Sequence, residues 1–187
     1  GSPNYVFPIT GVLISNDLTV GGSVNSVVDL DTNDTSVSVL GDVRINGSGE
    51  LSLSNSAPLT ISGSYNNNAT LTANGGELIF DSGDAYTLAA GDSELGDVTL
   101  VGTGAVTVTE NATSTGLFTI ASTSDFTLNP GSRLAVGGEL AIESTTTDWT
   151  GTTLYLYGGG NYTVNDKGNV ETFNNFEVGS GTQVRTW

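Results

Sequence analysis

The sequence predicts an all-β fold: a right-handed parallel β-helix, or β-solenoid, wound from a single chain. Three observations predict it: a short apolar-x-apolar-x-glycine pattern recurs, strand- and turn-favouring residues dominate, and no stretch has helical spacing. One such unit is too small to bury its own apolar face, so we expect the units to stack. The pattern occurs at Leu18–Gly22, Val43–Gly47, Leu59–Gly63, Val98–Gly102 and Leu134–Gly138, with a less regular copy at Phe176–Ser180.

A longer spacing supports stacking. A repeat of about 38 residues is too long for one small coil and predicts two coils of roughly 19 residues each. Repeated units favour parallel strands in register, whereas a β-sandwich, the alternative fold, has antiparallel strands without a fixed spacing. The spacing is seen in polar pairs that flank one central residue, at Ser36/Ser38, Thr70/Thr72, Thr107/Thr109 and Thr145/Thr147.

The chain divides into a short lead-in and one domain. Residues 1–10 hold two of the four prolines and two aromatic residues, and we expect them to cover the open first coil. Gly1-Ser2-Pro3 looks like a cloning remnant in front of a segment excised from a longer chain. Residues 11–187 are predicted to form one solenoid domain. Its inward-facing candidates begin with Leu13, Leu18, Val20 and Val24, and continue through pairs such as Val43 with Ile45, Leu78 with Phe80, Phe118 with Ile120, Leu134 with Val136 and Leu154 with Leu156.

The charge balance excludes several function classes. The 187 residues include 20 acidic and 4 basic residues, for a net charge of −16. Nucleic acids and anionic membrane surfaces both require clustered Lys and Arg, so we expect neither as a partner.

The absence of cysteine excludes disulfides and thiolate metal sites. No apolar run is long enough to insert into a membrane as a helix.

Three stretches have sequence motifs typical of repeat arrays: Phe173–Thr182 (FNNFEVGSGT), Asn74–Phe80 (NGGELIF) and Gly151–Leu156 (GTTLYL). They resemble the FNNLTVGSGT, NGGTLTF and GTTLTL elements of adhesin-type parallel β-helix repeats in large bacterial and archaeal cell-surface proteins. The resemblance implies an extracellular, surface-displayed stalk or adhesion module. The expected partners are surface glycans or another cell-surface protein, and the segment is expected to be a monomer or to associate end to end or side by side.

An aromatic group near the end of the chain is the best ligand-site candidate. Strand alternation places Tyr155 and Tyr157 on one face, opposite the two leucines beside them. If the leucines face the core, both tyrosines face solvent. Together with Tyr162 and the nearby Trp149, they would form an aromatic platform for a sugar. This predicts carbohydrate binding as the alternative function.

The turn Asp29–Asp34 is the one candidate for a cation site. Its alternating oxygen side chains suit Ca²⁺. An EF-hand loop would need Gly at its sixth position and Glu at its twelfth, and Asp34 and Leu40 stand there instead. An acidic turn between strands is the other interpretation, and we assign no cofactor.

No pattern in the sequence supports catalysis. Without histidine the usual hydrolytic triads are excluded. A tailspike-like, glycan-processing domain would need a carboxylate pair, and the near pairs Asp81/Asp84, Asp92/Glu94 and Glu139/Glu143 are close in sequence only. The Thr-x-Thr pairs suggest ice binding as a more remote alternative, although that function needs such a pair on nearly every coil.

Overall fold

The computed structural model describes residues 4–158, 164–168 and 170–179. The described residues contain β-strands but no α-helix, and every strand pairing is parallel. The strands wind into a right-handed β-solenoid of about eight turns. The predicted parallel β-helix is therefore confirmed, and the antiparallel sandwich is not the fold.

The strands are short because each turn of the solenoid bends at three corners. In chain order they are β1 Asn4–Val6, β2 Val12–Ile14, β3 Leu18–Gly21, β4 Ser26–Asp29, β5 Val37–Val39, β6 Val43–Asn46, β7 Gly49–Ser52, β8 Leu59–Ile61, β9 Tyr65–Asn67, β10 Thr70–Thr72, β11 Glu77–Phe80, β12 Tyr86–Ala89, β13 Glu94–Leu95, β14 Asp97–Leu100, β15 Val106–Val108, β16 Ala112–Ser114, β17 Phe118–Ile120, β18 Phe126–Leu128, β19 Arg133–Val136, β20 Leu140–Ile142, β21 Thr147–Asp148, β22 Thr153–Leu156, β23 Val164–Asn165 and β24 Asn175–Val178.

Successive turns stack their strands into three faces. Face A is one sheet of eight strands, β2-β5-β8-β11-β14-β17-β20-β23, and face B is one sheet of seven, β3-β6-β9-β12-β15-β18-β21. Face C is divided into β1-β4-β7-β10 and β13-β16-β19-β22-β24. The ladder of face C is therefore interrupted between β10 and β13, at a level where the ladders of faces A and B continue.

The coils differ in length, because the strands keep register while the corners vary. Along face A, one turn takes 19 residues from Leu59 to its partner Leu78, and 25 from Val12 to its partner Val37. The predicted unit of two 19-residue coils is therefore wrong. The four polar pairs that suggested it lie on three different faces: Ser36/Ser38 on face A, Thr70/Thr72 on face C, and Thr107/Thr109 and Thr145/Thr147 on face B.

The interior is one continuous apolar core. The inward residue of each strand lies over its partner in the next coil, as Leu59, Leu78 and Val98 do on face A, and all three are at most 1% exposed. The prediction that Leu13 and Val24 face inward is wrong, since they are 66% and 64% exposed. In β2 the neighbours of Leu13 pack against the core instead. A shift of one residue along a strand exchanges its two faces.

The glycines of the recurring pattern lie at corners, for two different physical reasons. Gly22 and Gly47 have φ angles of 137° and 59°, a region that disfavours residues with a Cβ atom. The other three have ordinary φ angles but lie against the backbone of the preceding coil. A Cβ atom would approach a backbone oxygen or carbon of that coil to within 2.6 Å or less at Gly63, Gly102 and Gly138.

Side chains also connect successive coils at the corner between faces A and B. The Oδ1 atom of Asp17 accepts the backbone N–H of Asp42 at 2.9 Å, and Oδ1 of Asp42 accepts that of Ser64 at 2.8 Å. One coil later, Oγ of Ser64 accepts the backbone N–H of Thr87 at 3.1 Å. We call Asp17, Asp42, Ser64 and Thr87 the corner ladder. It gives part of the acidic composition a structural role.

Candidate functional site

Face C carries a cluster of aromatic and charged side chains on its outer surface near the end of the described chain. It comprises Arg133 of β19, Tyr155 and Tyr157 at the end of β22, and Glu177 of β24, and we call it the outer aromatic cluster. Tyr155 and Glu177 are direct partners in the ladder. The leucines that alternate with the tyrosines are buried in the core, so both tyrosines project outward as expected and are half-buried.

The rings and the guanidinium form a packed column. Cζ of Arg133 lies 3.8 Å from the centroid of the Tyr155 ring. The rings of Tyr155 and Tyr157 are stacked, with centroids 5.8 Å apart and planes inclined by 13°. In the register, Arg133 is the partner of Thr153, two residues before Tyr155, so the guanidinium reaches the Tyr155 ring diagonally from the preceding coil. The Tyr155 ring therefore contacts both the Arg133 guanidinium and the Tyr157 ring.

Neighbouring backbone holds the tyrosines in place. The hydroxyl of Tyr157 donates to the carbonyl oxygen of Ser114 at 3.3 Å. The rings also lie close over two glycines: a Cβ atom at Gly137 would be 3.2 Å from Cζ of Tyr157, and one at Gly179 would be 3.1 Å from the Tyr155 hydroxyl. The glycines therefore make room for the rings.

Arg133 is weakly paired with its acidic neighbour. Its Nη2 atom lies 3.5 Å from Oε2 of Glu177, and the two side chains are 43% and 56% exposed. Its Nε atom is buried and has no hydrogen-bond partner among the described residues. Arg44, by contrast, is held by both Asp17 and Asp42. The guanidinium of Arg133 is therefore partly exposed and held by one long ion-pair contact, whereas its unpaired Nε–H is buried.

Trp149 does not belong to this surface, so its assignment to the aromatic platform is corrected. It is 2% exposed and packs in the core, with ring centroids 4.8 Å from Phe126 and 5.1 Å from Phe173. Its Nε1–H donates to the side chains of Thr147 and Glu171 at 3.1 and 3.2 Å. The chain directs this residue inward directly after β21. Tyr162, the remaining predicted member, lies outside the described residues.

The oxygen side chains of the Asp29–Asp34 turn make hydrogen bonds to the protein. Oδ1 of Asp29 accepts the backbone N–H of Asp31 and of Thr32, each at 2.9 Å. The Thr32 hydroxyl donates to the same carboxylate at 2.6 Å and is the main cause that lowers the pKa of Asp29. Within the described residues, no group of three or more His, Cys, Asp or Glu side chains is arranged to hold a metal ion.

A polar cavity of about 390 Å³ lies at the corner between faces B and C. It spans three successive coils and includes Asp92, one member of a predicted carboxylate pair. The carboxylate of Glu110, which also lines the cavity, accepts the backbone N–H of Gly91 at 2.6 Å. The other lining residues are Asn67, Asn68, Ala69 and Asn111.

Comparisons of this chain with protein-family models, with curated proteins and with solved structures found no match. Over the part of the chain that the structure describes, no helix could cross a membrane. The β-solenoid fold is shown by the structure itself, and the function must be argued from its surfaces.

Proposed function

We propose that this chain is a rigid segment of an extracellular, surface-displayed β-solenoid that acts as a stalk or adhesion module and has no catalytic role. The observation that supports this most strongly is the continuity of the structure. Faces A and B run as unbroken parallel ladders along the solenoid, around a single apolar core.

The physical basis of a stalk is resistance to bending. Strands in a sheet are spaced by about 4.8 Å, so eight coils rise roughly 35–40 Å. Bending such a rod would stretch backbone hydrogen bonds on one face and compress core side chains on the opposite face. Close-packed interiors resist both changes.

Composition supports a position outside the cell. A net charge of −16 keeps like chains apart and well hydrated, and the chain contains no cysteine or methionine that could be oxidised. The resemblance to adhesin-type repeats agrees with this location. Surface glycans or another cell-surface protein would be the partners.

Distance measurements between spin labels test the rod. Because the chain has no cysteine, Thr19→Cys and Thr127→Cys place two labels on the outside of face B, on β3 and β18, five coils apart. Because both labels project from the same face, a stiff solenoid gives one narrow distance distribution centred at about 24 Å. A broad or bimodal distribution would contradict the stalk.

Surface display needs a separate experiment. Antibodies raised against the segment should label intact cells of the source organism, and brief protease treatment of those cells should remove the label. Labelling that appears only after the cells are permeabilised would contradict an extracellular location.

Carbohydrate recognition by the outer aromatic cluster is the second candidate function. The observation that favours it is the outward, half-buried and stacked pair Tyr155 and Tyr157. A glycan array should show binding by the wild type that is lost in the double variant Tyr155→Ala/Tyr157→Ala. If no glycan is bound, only the stalk role remains.

A further inference from the structure

We propose that the outer aromatic cluster binds a saccharide that carries a carboxylate group, and that Arg133 pairs with that carboxylate. The inference rests on the second candidate function, carbohydrate recognition, and names its ligand class. It depends on which acidic partners the cationic side chains of the described chain already have.

Arg133 has the chemistry and the availability that a carboxylate requires. A guanidinium presents five N–H donors in a planar fork that matches a carboxylate in a two-point contact. Among the cations of the described chain, Arg44 is occupied by two aspartates, and Lys167 lies 3.4 Å from Glu143 and lacks the planar fork. Arg133 has one long contact, 3.5 Å, to Glu177.

The column presents this guanidinium in a fixed orientation. Stacking on Tyr155 holds the plane of the fork, and Tyr155 is itself held by Tyr157. Little side-chain entropy remains to be lost when a ligand binds. The half-buried rings of Tyr155 and Tyr157 present apolar surface against which the C–H groups of a sugar can pack.

Glu177 occupies the place that a ligand carboxylate would take. Its side chain is 56% exposed, and its contact with Arg133 is too long for a good hydrogen bond. A ligand carboxylate that meets Nη1 and Nη2 would displace it. The Glu177 carboxylate would repel a ligand carboxylate at this position, whereas charges more than about 8 Å away are largely screened at physiological salt.

Calorimetry with matched saccharides tests the proposal. The probes are uronate-containing trisaccharides of several backbones, each compared with its methyl-esterified form, which differs only in the carboxylate. The proteins are wild type, Arg133→Lys, Glu177→Gln and Tyr155→Ala/Tyr157→Ala. Arg44→Lys serves as the control because that cation is already engaged by two aspartates.

We expect at least one acid to bind at least tenfold more tightly than its ester. Arg133→Lys should remove most of that preference, Glu177→Gln should strengthen binding of the acid about threefold or more without changing the ester, and Arg44→Lys should change neither. Equal binding of acid and ester would overturn the proposal while leaving carbohydrate recognition intact. An absence of binding by all trisaccharides would overturn both, and the spin-label distance would still report on the stalk.

Discussion

The carboxylate of Asp42 accepts the backbone N–H of Ser64, one coil further along the solenoid, at 2.8 Å. This side chain therefore completes the inter-coil hydrogen bonding at a corner, where the sheet ladders end. We expect Asp42→Ala to lower the free energy of unfolding by about 1 kcal/mol, because the Ser64 N–H loses its partner. Asp42→Asn keeps an acceptor oxygen and should cost less.

Chemical denaturation of the two variants measures this difference. Asp125→Ala is the matched control, since Asp125 is exposed and its carboxylate has no hydrogen bond or ion pair among the described residues. Equal losses in Asp42→Ala and Asp125→Ala would show that the corner ladder contributes nothing to stability.

The corner ladder should also make stability depend on acid pH. The backbone N–H of Asp42, followed by the Arg44 side chain, holds the pKa of the Asp17 carboxyl below its ordinary value of 3.8. Because the folded-state pKa is the lower one, the stabilisation is complete above 3.8 and is lost as the pH falls through the lowered value. The melting temperature of wild type should therefore exceed that of Asp17→Asn at pH 6, and the difference should shrink below about pH 4.

Comparing the two proteins at each pH cancels the general effect of acid on a chain with a net charge of −16. Asp125→Asn is the control because it removes the same charge at an exposed position. A difference between wild type and Asp17→Asn that persists undiminished to pH 2 would contradict the assignment.

Two glycines on the same side of the solenoid differ in how much space a Cβ atom would have. A Cβ atom at Gly102 would lie 2.2 Å from the carbonyl oxygen of Ser82, whereas at Gly83 nothing lies within 4 Å. We expect Gly102→Ala to lower the free energy of unfolding by roughly 2–3 kcal/mol, because neighbouring coils would have to separate. Gly83→Ala should change stability by less than about 0.5 kcal/mol. Similar denaturation midpoints for the two variants would contradict this account of the corners.

Two tyrosine hydroxyls lie in the core without a hydrogen-bond partner among the described residues, those of Tyr65 and Tyr86. An unpaired buried hydroxyl is unfavourable, so Tyr65→Phe should raise the free energy of unfolding by about 1 kcal/mol. Burial also raises the pKa of the Tyr65 phenol above its ordinary value of 10.0. The folded state therefore favours the neutral phenol, and wild type should lose stability as the pH rises above 10.

Thermal melts of wild type, Tyr65→Phe and Tyr65→Phe/Tyr86→Phe between pH 7 and 11 check both effects. The double variant should show the smallest alkaline loss. A loss of more than about 1 kcal/mol in Tyr65→Phe at pH 7 would contradict an unpaired hydroxyl.

The interruption of face C predicts a local weak point. Between β10 and β13 the backbone ladder is absent, and the N–H of Leu71 donates to the side chain of Ser93 at 3.2 Å instead. Strands β8 and β9 of the same coil keep their backbone partners in the next coil. Hydrogen exchange followed by NMR should show the Leu71 amide exchanging at least tenfold faster than buried amides of β8 and β9. Equal protection would show that the two parts of face C behave as one sheet.

Part of the outer aromatic cluster can be predicted from the sequence. Alternation within one strand correctly placed Tyr155 and Tyr157 outside, because neighbouring residues of a strand point to opposite faces. It did not find Arg133 or Glu177, which are on other coils. The assignment of Trp149 to the platform is wrong, because it depends on nearness in sequence, which does not determine the direction of a side chain; Trp149 follows the two-residue strand β21 and is buried in the core.

The sequence by itself determined the fold class, since apolar alternation and corner glycines are properties of short segments that any stacked arrangement must satisfy. The tertiary structure decided the rest: the length of each coil, the interruption of face C and the contact between Arg133 and Tyr155. That contact joins residues on successive coils, so it depends on how many residues each corner uses. Corner lengths here vary from coil to coil, and only the register of the stacked strands determines which side chains meet.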